Sequence, residues 1–252
     1  MVMIEKKMGC ALVGKLRAIL LKEADDNFHS GVMFGGRLME RARTIGFIPE
    51  EQMAEKQCTA EDGAFQKVLY YDYTRLRRIS SSTISADAAN CYDRVNHILL
   101  GLLLWAVGMP HGPIAAMLIT IMTMKYYIRT GFGESSTYMG GDKAKRRMHG
   151  LNQGNRAASH CWSLISALLV RIQRKRGHTA TLRCPITREV AYIIGLLYVD
   201  DTDLFILGDD IFTVRDQWHK TQRAINSWGD LLQQTGGGAK PAKCHHTSTS
   251  TH

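Results

Sequence analysis

The chain lacks the features that mark several common classes of protein. Its six cysteines lie far apart and form no C-x-x-C pair, so we expect reduced thiols rather than a disulfide scaffold or a zinc finger. No repeat period is visible in the 252 residues, which argues against a solenoid. Hydrophobic residues make up 45% and charged residues 22%, the usage of an ordinary globular protein, which excludes the disordered and fibrous classes.

Long apolar runs are also missing. The first residues, MVMIEKKMG, lack the apolar core of a secretory signal. The longest apolar stretch, residues 98–124, is cut by Pro110 and Pro113 into two pieces, each shorter than the roughly 18 residues of a membrane span. We predict a buried helical hairpin there, with a re-entrant membrane hairpin as the alternative, and an intracellular chain, cytoplasmic or nuclear, that is not secreted.

Charge of one sign predominates. Lys and Arg number 32 against 23 for Asp and Glu, a net charge of +9 that favours a polyanionic partner such as nucleic acid. Nine basic residues outside the motifs described below form a reserve for phosphate contacts, although each alone is most often a solvated surface charge: Arg75, Arg77, Arg78, Lys143, Arg146, Arg147, Arg174, Lys175 and Arg176.

Hydrophobic periodicity and helix-end signals predict an alternation of helices and strands. Residues 189–210 give the strongest strand signal. A nearly continuous apolar run precedes Asp200-Asp201 and the segment "DLFIL" follows, a pattern that predicts two strands joined by a tight acidic turn. Residues 131–150 indicate a loop or an edge hairpin, and the polar end of the chain indicates a frayed tail. Helices are predicted to start at Ile48-Pro49, to span 61–78, to begin near Arg94, and to span 155–176 and 212–234.

Carboxylates in apolar surroundings are the most informative chemical feature. Asp200 and Asp201 repel each other at the tip of the hairpin, and a hard divalent cation such as Mg²⁺ or Mn²⁺ relieves that repulsion. A solvent-exposed Asp-Asp turn is the alternative, because Asp tolerates turn geometry. Asp87 ends another short strand, and Asp93 follows six residues later. Carboxylates from two distant strands, brought side by side in one sheet, can form a two-metal site for phosphoryl transfer.

Five motifs in order make the chain similar to the reverse transcriptases of retroelements. "YVDD" at residues 198–201 resembles the Y-x-D-D signature of that family, and "DAANCYD" at 87–93 resembles its first carboxylate motif. "GLNQGNRAAS" at 150–159 resembles the Q-G loop, "GGGAKPAKC" at 236–244 the lysine-bearing segment, and "KLRAILL" at 15–21 the fingers. The resemblance implies an α+β fold, a right-hand polymerase palm with an antiparallel sheet and helices on one face. Residues 1–80 would be fingers-like, 81–244 the palm with an inserted fingers segment at about 108–150, and 245–252 a disordered tail.

The resemblance also implies a role for each matching residue. Asp87, Asp200 and Asp201, with the Ala88 carbonyl, would hold two Mg²⁺ ions, and Lys243 would protonate pyrophosphate, with Lys240 as a possible replacement. The nucleotide would contact Lys15, Arg17, Tyr92, Gln153 and Gly154, of which Tyr92 would exclude a 2′-hydroxyl or else be a packed core tyrosine. The implied reaction is RNA-directed DNA polymerisation, with dNTP and an RNA or DNA template-primer as partners.

Some departures from the family pattern keep other functions open. Arg156 and Ser159 stand where the Q-G loop usually has small residues and a proline, and Lys56 is the one cation in the second fingers motif. The primer grip and thumb of the family would begin just after Cys244, so we expect a chain truncated after the palm, with partial fingers and no thumb. Another segment or chain is a possible source of the thumb. The alternatives are a catalytically impaired retroelement remnant that only binds nucleic acid, and a metal-dependent phosphohydrolase.

Overall fold

The computed structural model of the chain describes residues 1–6, 12, 16–55, 58–89, 91–142, 148–208 and 213–249. The helices are α1 (Ala24–Ser30), a π-helix (Gly31–Leu38), α2 (Met39–Thr44), α3 (Ala60–Arg77), α4 (His97–Ala106), α5 (His111–Thr123), α6 (Arg156–Lys175), α7 (Val214–Gln234) and a 3₁₀ turn (Pro241–Lys243). The strands are β1 (Val2–Glu5), β2 (Leu16–Ile19), β3 (Ser81–Asp87), β4 (Lys125–Thr130), β5 (Gly133–Gly140), β6 (Ala180–Arg183), β7 (Val190–Ile193), β8 (Gly195–Tyr198), β9 (Asp201–Leu207) and β10 (His245–Thr249). The predicted α+β class is therefore confirmed.

These elements form two compact units, each built from two stretches of chain. The first unit contains Met1–Ile45 and Tyr92–Cys161, and the second contains Gly46–Cys91 and Trp162–His252. This division differs from the boundary predicted at residue 80, because α3 belongs with the second unit. The buried ring of Tyr70 in α3 stacks on Phe205 in β9, with 4.2 Å between ring centroids.

The first unit carries a four-stranded sheet and the helical hairpin. The strand order is β2-β1-β4-β5, with β1 parallel to β4 and the other neighbours antiparallel. Helices α4 and α5 occupy the apolar stretch and are separated by residues 107–110, as the sequence predicts. The hairpin is not buried throughout, because Ile98, Leu102 and Trp105 are exposed. Helix α4 begins at His97 rather than near Arg94, because the Asn96 side chain accepts a hydrogen bond from the Ile98 backbone N–H at 2.9 Å. Within the described ranges, no helix has both the length and the apolarity to cross a membrane.

The second unit is built on a four-stranded antiparallel sheet in the order β10-β3-β9-β8, with β6 and β7 as a separate pair. Helices cover both faces of this sheet, not one face as predicted. Tyr70 of α3 packs against Phe205, whereas Gln217 of α7 donates hydrogen bonds to the Ser82 hydroxyl and the Ile206 carbonyl oxygen. Successive strand residues point to opposite faces, so α3 and α7 lie on opposite sides.

The predicted helix start at Ile48-Pro49 is wrong. Residues 50–51 form a turn, and Gln52 instead bridges Leu197 of β8 in parallel. The Met53 N–H donates to the Leu197 carbonyl oxygen at 2.7 Å, and the Leu197 N–H donates to the Glu51 carbonyl oxygen at 2.8 Å. This short segment extends the sheet beyond β8, and its backbone is satisfied there rather than in a helix.

The predicted disordered tail at 245–252 is also wrong in its described part. Strand β10 pairs with β3 over five residues, from His245 opposite Ser85 to Thr249 opposite Ser81. All five residues of β10 are exposed and polar, so no apolar alternation marks this strand in the sequence. Main-chain pairing with β3 is what orders it, and it leaves β3 in the interior of the sheet.

Candidate active site

The register of the second unit's sheet brings the distant carboxylates together. Asp87, the last residue of β3, lies directly opposite Asp201, the first residue of β9. Residues in such antiparallel positions have Cα atoms about 4.5–5.5 Å apart and side chains on the same face. Asp203 follows on that face, opposite Ser85, and Asp200 lies in the two-residue turn that joins β8 to β9. Asp87, Asp201 and Asp203 therefore share one face of the sheet, and Asp200 lies beside them in the turn.

The electrostatics of Asp201 show that this cluster carries excess negative charge. Partial loss of hydration is the largest cause that raises the pKa of Asp201, and the charges of Asp200 and Asp87 raise it further. Lys243 acts in the opposite direction. An added positive charge at this end of the sheet would therefore stabilise the ionised carboxylates.

Lys243 reaches the cluster because its segment is fixed to the end of β3. The Ala89 N–H donates to the Gly238 carbonyl oxygen at 2.7 Å, and the Lys240 N–H donates to the Asp87 carbonyl oxygen at 3.0 Å. The 3₁₀ turn that follows places Lys243 Nζ 2.8 Å from Asp87 Oδ2. That hydrogen bond is the main reason why the pKa of Lys243 is raised, so its ammonium group is held in the protonated state.

A cavity of about 430 Å³ adjoins the carboxylates. One wall is the small-residue face of α3, formed by Ala60, Gly63 and Ala64, with Lys67 one turn further on. Lys67 Nζ lies 2.8 Å from Asp203 Oδ2, and the Ser85 hydroxyl also donates to Asp203. Lys67 was not among the predicted site residues, although its spacing places it on the same helix face as the three small residues.

The turn of the Y-x-D-D motif has an uncommon backbone conformation. Val199 has φ of +59°, in the left-handed region that β-branched residues rarely adopt. The indole N–H of Trp162 in α6 donates to the Val199 carbonyl oxygen at 2.8 Å, and Trp162 itself is buried. Trp162 was not among the predicted site residues.

The side-chain donors at this end of the sheet are carboxylate oxygens, the ligand type that Mg²⁺ prefers. Among the described residues, no group of three or more His, Cys, Asp or Glu side chains is arranged to hold a metal ion. Mg²⁺ commonly takes one or two carboxylates and completes its shell with water and substrate phosphates, so a closed protein cage is not required. Ala88 also forms an isolated β-bridge with Ala239. The two hydrogen bonds of this bridge are donated by the Ala89 and Lys240 N–H groups to the Gly238 and Asp87 carbonyl oxygens, so neither uses the Ala88 carbonyl oxygen, the predicted metal ligand.

The predicted nucleotide-binding residues lie in the first unit, where the Q-G loop docks on β2. The Leu20 N–H donates to the Gln153 carbonyl oxygen at 2.7 Å. Gly154 has φ of +104°, and a Cβ there would lie 2.3 Å from the Leu20 carbonyl oxygen, so a larger residue does not fit. Arg17 lies exposed on β2, next to this contact, while Lys15 falls outside the described residues.

Tyr92 is attached to the other end of the same loop. Its carbonyl oxygen accepts a hydrogen bond from the Leu151 N–H at 2.6 Å, and a Cβ at Gly150 would lie 2.3 Å from the Asp93 carbonyl carbon. Tyr92 as a whole residue is half-buried. Arg17, Tyr92, Gln153 and Gly154 are thus linked through one loop of the first unit, and the carboxylates belong to the second.

Several of the basic residues predicted to contact phosphates instead bind other side chains of the chain. Arg174 pairs with the buried Glu51 at 2.5 Å, and Arg176 donates to the Ser227 hydroxyl at 2.8 Å. Arg75 pairs with Asp72 at 3.0 Å on the surface of α3. Lys143, Arg146 and Arg147 lie outside the described residues.

Comparison with known proteins supports the fold. No protein-family model matches the chain, and no curated protein sequence matches it. Among solved structures, apo telomerase from Candida tropicalis, truncated from its C-terminal domain, is similar over 90% of this chain and 41% of that one, with a TM-score of 0.56 and 12% identity. Telomerase from Candida albicans in complex with a TWJ fragment of telomeric RNA is similar over 89% of this chain and 35% of that one, with a TM-score of 0.56 and 13% identity.

Telomerase from Candida tropicalis in complex with a TWJ fragment of telomeric RNA is similar over 92% of this chain and 39% of that one, with a TM-score of 0.58 and 11% identity. The chain spans about two fifths of the length of these telomerases. At such low identity the likeness is one of fold, shared with part of each of these telomerases.

Proposed function

We propose that the chain is the catalytic part of an RNA-directed DNA polymerase, which transfers a nucleotide from a dNTP to the 3′-hydroxyl of a primer. The observation that carries the proposal is the register that sets Asp87 opposite Asp201 beside the Y-x-D-D turn, within a polymerase-like fold. A retroelement origin rests on the resemblance of the five motifs. The partners would be dNTP and an RNA or DNA template-primer.

The carboxylate cluster supplies the chemistry of the transfer. Asp87, Asp200 and Asp201, with the Ala88 carbonyl oxygen, would hold two Mg²⁺ ions, or Mn²⁺. When bound, such ions neutralise the charge that develops on the phosphate and lower the pKa of the attacking hydroxyl. The primer O3′ forms a bond to the α-phosphorus while the bond from that phosphorus to the bridging oxygen breaks, and the hydroxyl proton passes to solvent.

Lys243 would hold the proton that the leaving group needs. Its ammonium lies 2.8 Å from Asp87, and its raised pKa keeps it protonated at neutral pH. Donation to the departing pyrophosphate prevents an unneutralised charge from developing on that oxygen. Lys240 approaches Asp87 through its backbone N–H, so Lys243 has the better claim to this role.

In the first unit, Arg17 would grip the triphosphate, since a guanidinium donates to two phosphate oxygens at once. Lys15 would add a second positive charge. Gln153 and Gly154 would lie beneath the templating base pair, and Tyr92 would collide with a 2′-hydroxyl and so select deoxynucleotides.

Primer extension on poly(rA)–oligo(dT) with Mg²⁺ or Mn²⁺ tests the proposal. We expect extension by the unaltered chain and a loss of about a hundredfold or more in each of Asp87→Asn, Asp200→Asn and Asp201→Asn, because each removes a charged oxygen ligand. Asp230→Asn, an exposed position on α7, is the matched control and should extend normally. Extension that survives in all three variants would refute the proposal.

A nucleic-acid-binding remnant without catalysis is the alternative that the same experiment addresses. The ion pair of Lys243 with Asp87 is the observation that favours it, because that lysine occupies a carboxylate needed for a metal ion. No extension by the unaltered chain under either metal, with template-primer binding retained, would support the remnant.

A further inference from the structure

The turn that carries Asp200 and Asp201 is held from outside the hairpin by one indole group. Trp162 lies in α6, and its Nε1–H donates to the Val199 carbonyl oxygen at 2.8 Å. Trp162 is 3% exposed, so the surrounding packing fixes the direction of its side chain. Its hydrogen bond therefore acts on the peptide unit directly before Asp200.

This peptide unit needs an external restraint. Val199 is β-branched and has φ of +59°, a conformation that glycine adopts freely and that valine adopts only when its surroundings impose it. A positive φ at the first central residue of a two-residue hairpin loop is the position where glycine is usually found. The chain thus retains a strained residue next to two carboxylates.

The rest of the hairpin is firmly attached, so the turn is the part that the indole can affect. At the start of β8, Gly195 packs closely against the Asp203 carbonyl group. Leu197 exchanges backbone hydrogen bonds with Glu51 and Met53. The Gln52 side chain donates to the Ser166 hydroxyl in α6 at 2.8 Å, which ties that bridging segment to the same helix as Trp162.

We propose that Trp162 is a positioning residue, which fixes the direction of Asp200 by holding the Val199 carbonyl against backbone relaxation. The proposal rests on the proposed function, since it concerns metal binding by the same carboxylates. Without the hydrogen bond, Val199 relaxes towards negative φ, the turn rotates and the Asp200 carboxylate moves away from Asp87 and Asp201.

Mn²⁺ binding, measured by electron paramagnetic resonance on the chain without nucleotide, tests this role. Trp162→Phe keeps an aromatic ring but removes the donor, and we expect the Kd for Mn²⁺ to rise about five- to tenfold. Val199→Gly makes the left-handed conformation free of strain, so the double variant Trp162→Phe with Val199→Gly should return to within about twofold of the unaltered affinity. Trp228→Phe, at another buried tryptophan, should leave the Kd unchanged.

A structural role alone would give a different pattern. If Trp162 only fills space, Trp162→Phe lowers Tm but not Mn²⁺ affinity, and Val199→Gly rescues nothing; either result overturns the proposal. Where Trp162→Phe fails to fold, replacement by β-(3-benzothienyl)alanine keeps the ring shape and removes the N–H, and unchanged Mn²⁺ affinity in that variant also overturns it.

The failure of the proposed function is distinguishable. If Asp87→Asn and Asp201→Asn leave both Mn²⁺ binding and primer extension unchanged, the carboxylates hold no metal and both proposals fall. If those two variants abolish Mn²⁺ binding and Trp162→Phe leaves it intact, only the role of Trp162 is refuted.

Discussion

Asp201 illustrates, at the scale of one residue, how a functional cluster lowers stability. Its pKa is raised by partial desolvation and then by Asp200 and Asp87, so its ionised form is less favourable in the folded chain than in the unfolded chain. Such a group lowers stability at neutral pH, and the cost disappears as pH falls below the ordinary value of 3.8. Exposed charge interactions of this kind amount to less than about 1 kcal/mol.

Asp201→Asn should therefore raise Tm at pH 7.5 by about 1–2 °C, and the difference from the unaltered chain should shrink as the pH approaches 3.5. Thermal unfolding followed by circular dichroism across this pH range measures the effect. Asp230→Asn, the exposed control on α7, should show no such trend. A lower Tm for Asp201→Asn at pH 7.5 would mean that the carboxylate is a structural partner instead.

A substitution at Tyr92 tests whether its side chain selects the sugar of the nucleotide or packs in the core. Because the residue is half-buried and its backbone is fixed to Leu151, a smaller side chain should open space without moving the loop. Tyr92→Ala should raise the incorporation of ribonucleotides relative to deoxyribonucleotides, by about tenfold or more if the ring excludes the 2′-hydroxyl through a steric clash worth about 1.4 kcal/mol or more. Competition assays with dTTP and UTP measure the ratio, and an unchanged ratio in an active variant would return Tyr92 to a packing role.

Gly195 is required by the close approach of β8 and β9. A Cβ there would lie 1.8 Å from the Asp203 carbonyl oxygen, a backbone atom that can move only if the hairpin does. Gly195→Ala should lower the free energy of unfolding by about 2–3 kcal/mol, as overpacking in a close-packed interior does. Gly229→Ala is the matched control, since nothing lies within 4 Å of its Cβ on α7, and alanine there should stabilise by about 0.5–1 kcal/mol. Urea denaturation measures both, and equal stabilities would contradict the close contact.

At the scale of elements, prediction succeeded where hydrophobic periodicity is strong. The apolar runs around Asp200 and the amphipathic pattern of α6 and α7 lie where the sequence indicated them. The predicted helix start at Ile48 is wrong because proline and acidic residues occur in turns as well as in the first turn of helices. Here the segment forms a turn, since Gln52 pairs with the distant Leu197 of β8. Trp162 and Lys67 were missed for the same reason, since their partners lie 37 and 136 positions away.

Strand β10 provides a test at this scale. Its residues are exposed, so its contribution comes from main-chain pairing and from contacts such as that of the Thr249 and Ser81 hydroxyls, 2.7 Å apart. Removal of residues 245–252 makes β3 an edge strand, and the amides of β3 that pair with β10 should exchange with solvent at least about tenfold faster. Hydrogen exchange with mass spectrometry on the peptide covering 81–87 measures this. Removal of 250–252 alone is the control, and unchanged exchange after the longer deletion would show that β10 does not protect β3.

At the scale of the whole chain, the order of the motifs gave the fold, but not its division into units. The resemblance placed residues 1–80 together, whereas Gly46–Cys91 belongs with the carboxylate sheet. Sequence order does not reveal this, because each unit combines two stretches that are distant along the chain. Packing contacts such as Tyr70 on Phe205 decide it, and they join residues 135 positions apart.

The net charge of +9 leads to a prediction for the whole molecule that is independent of the carboxylates. Positive charge attracts phosphate backbones whatever their sequence, and binding releases condensed counterions, so affinity should fall steeply with salt, with a log–log slope of about −0.9 for each phosphate neutralised on duplex DNA. We expect RNA and DNA to bind with similar slopes and with little preference for a primed over an unprimed template.

Because the triple variant of Asp87, Asp200 and Asp201 to Asn removes three negative charges, it should bind at least as tightly as the unaltered chain while losing extension. Filter-binding titrations over a salt series, with primed and unprimed templates, measure these slopes. Salt-resistant binding that prefers the primed template and weakens in the triple variant would show that the carboxylate cluster, rather than overall charge, governs the interaction with nucleic acid.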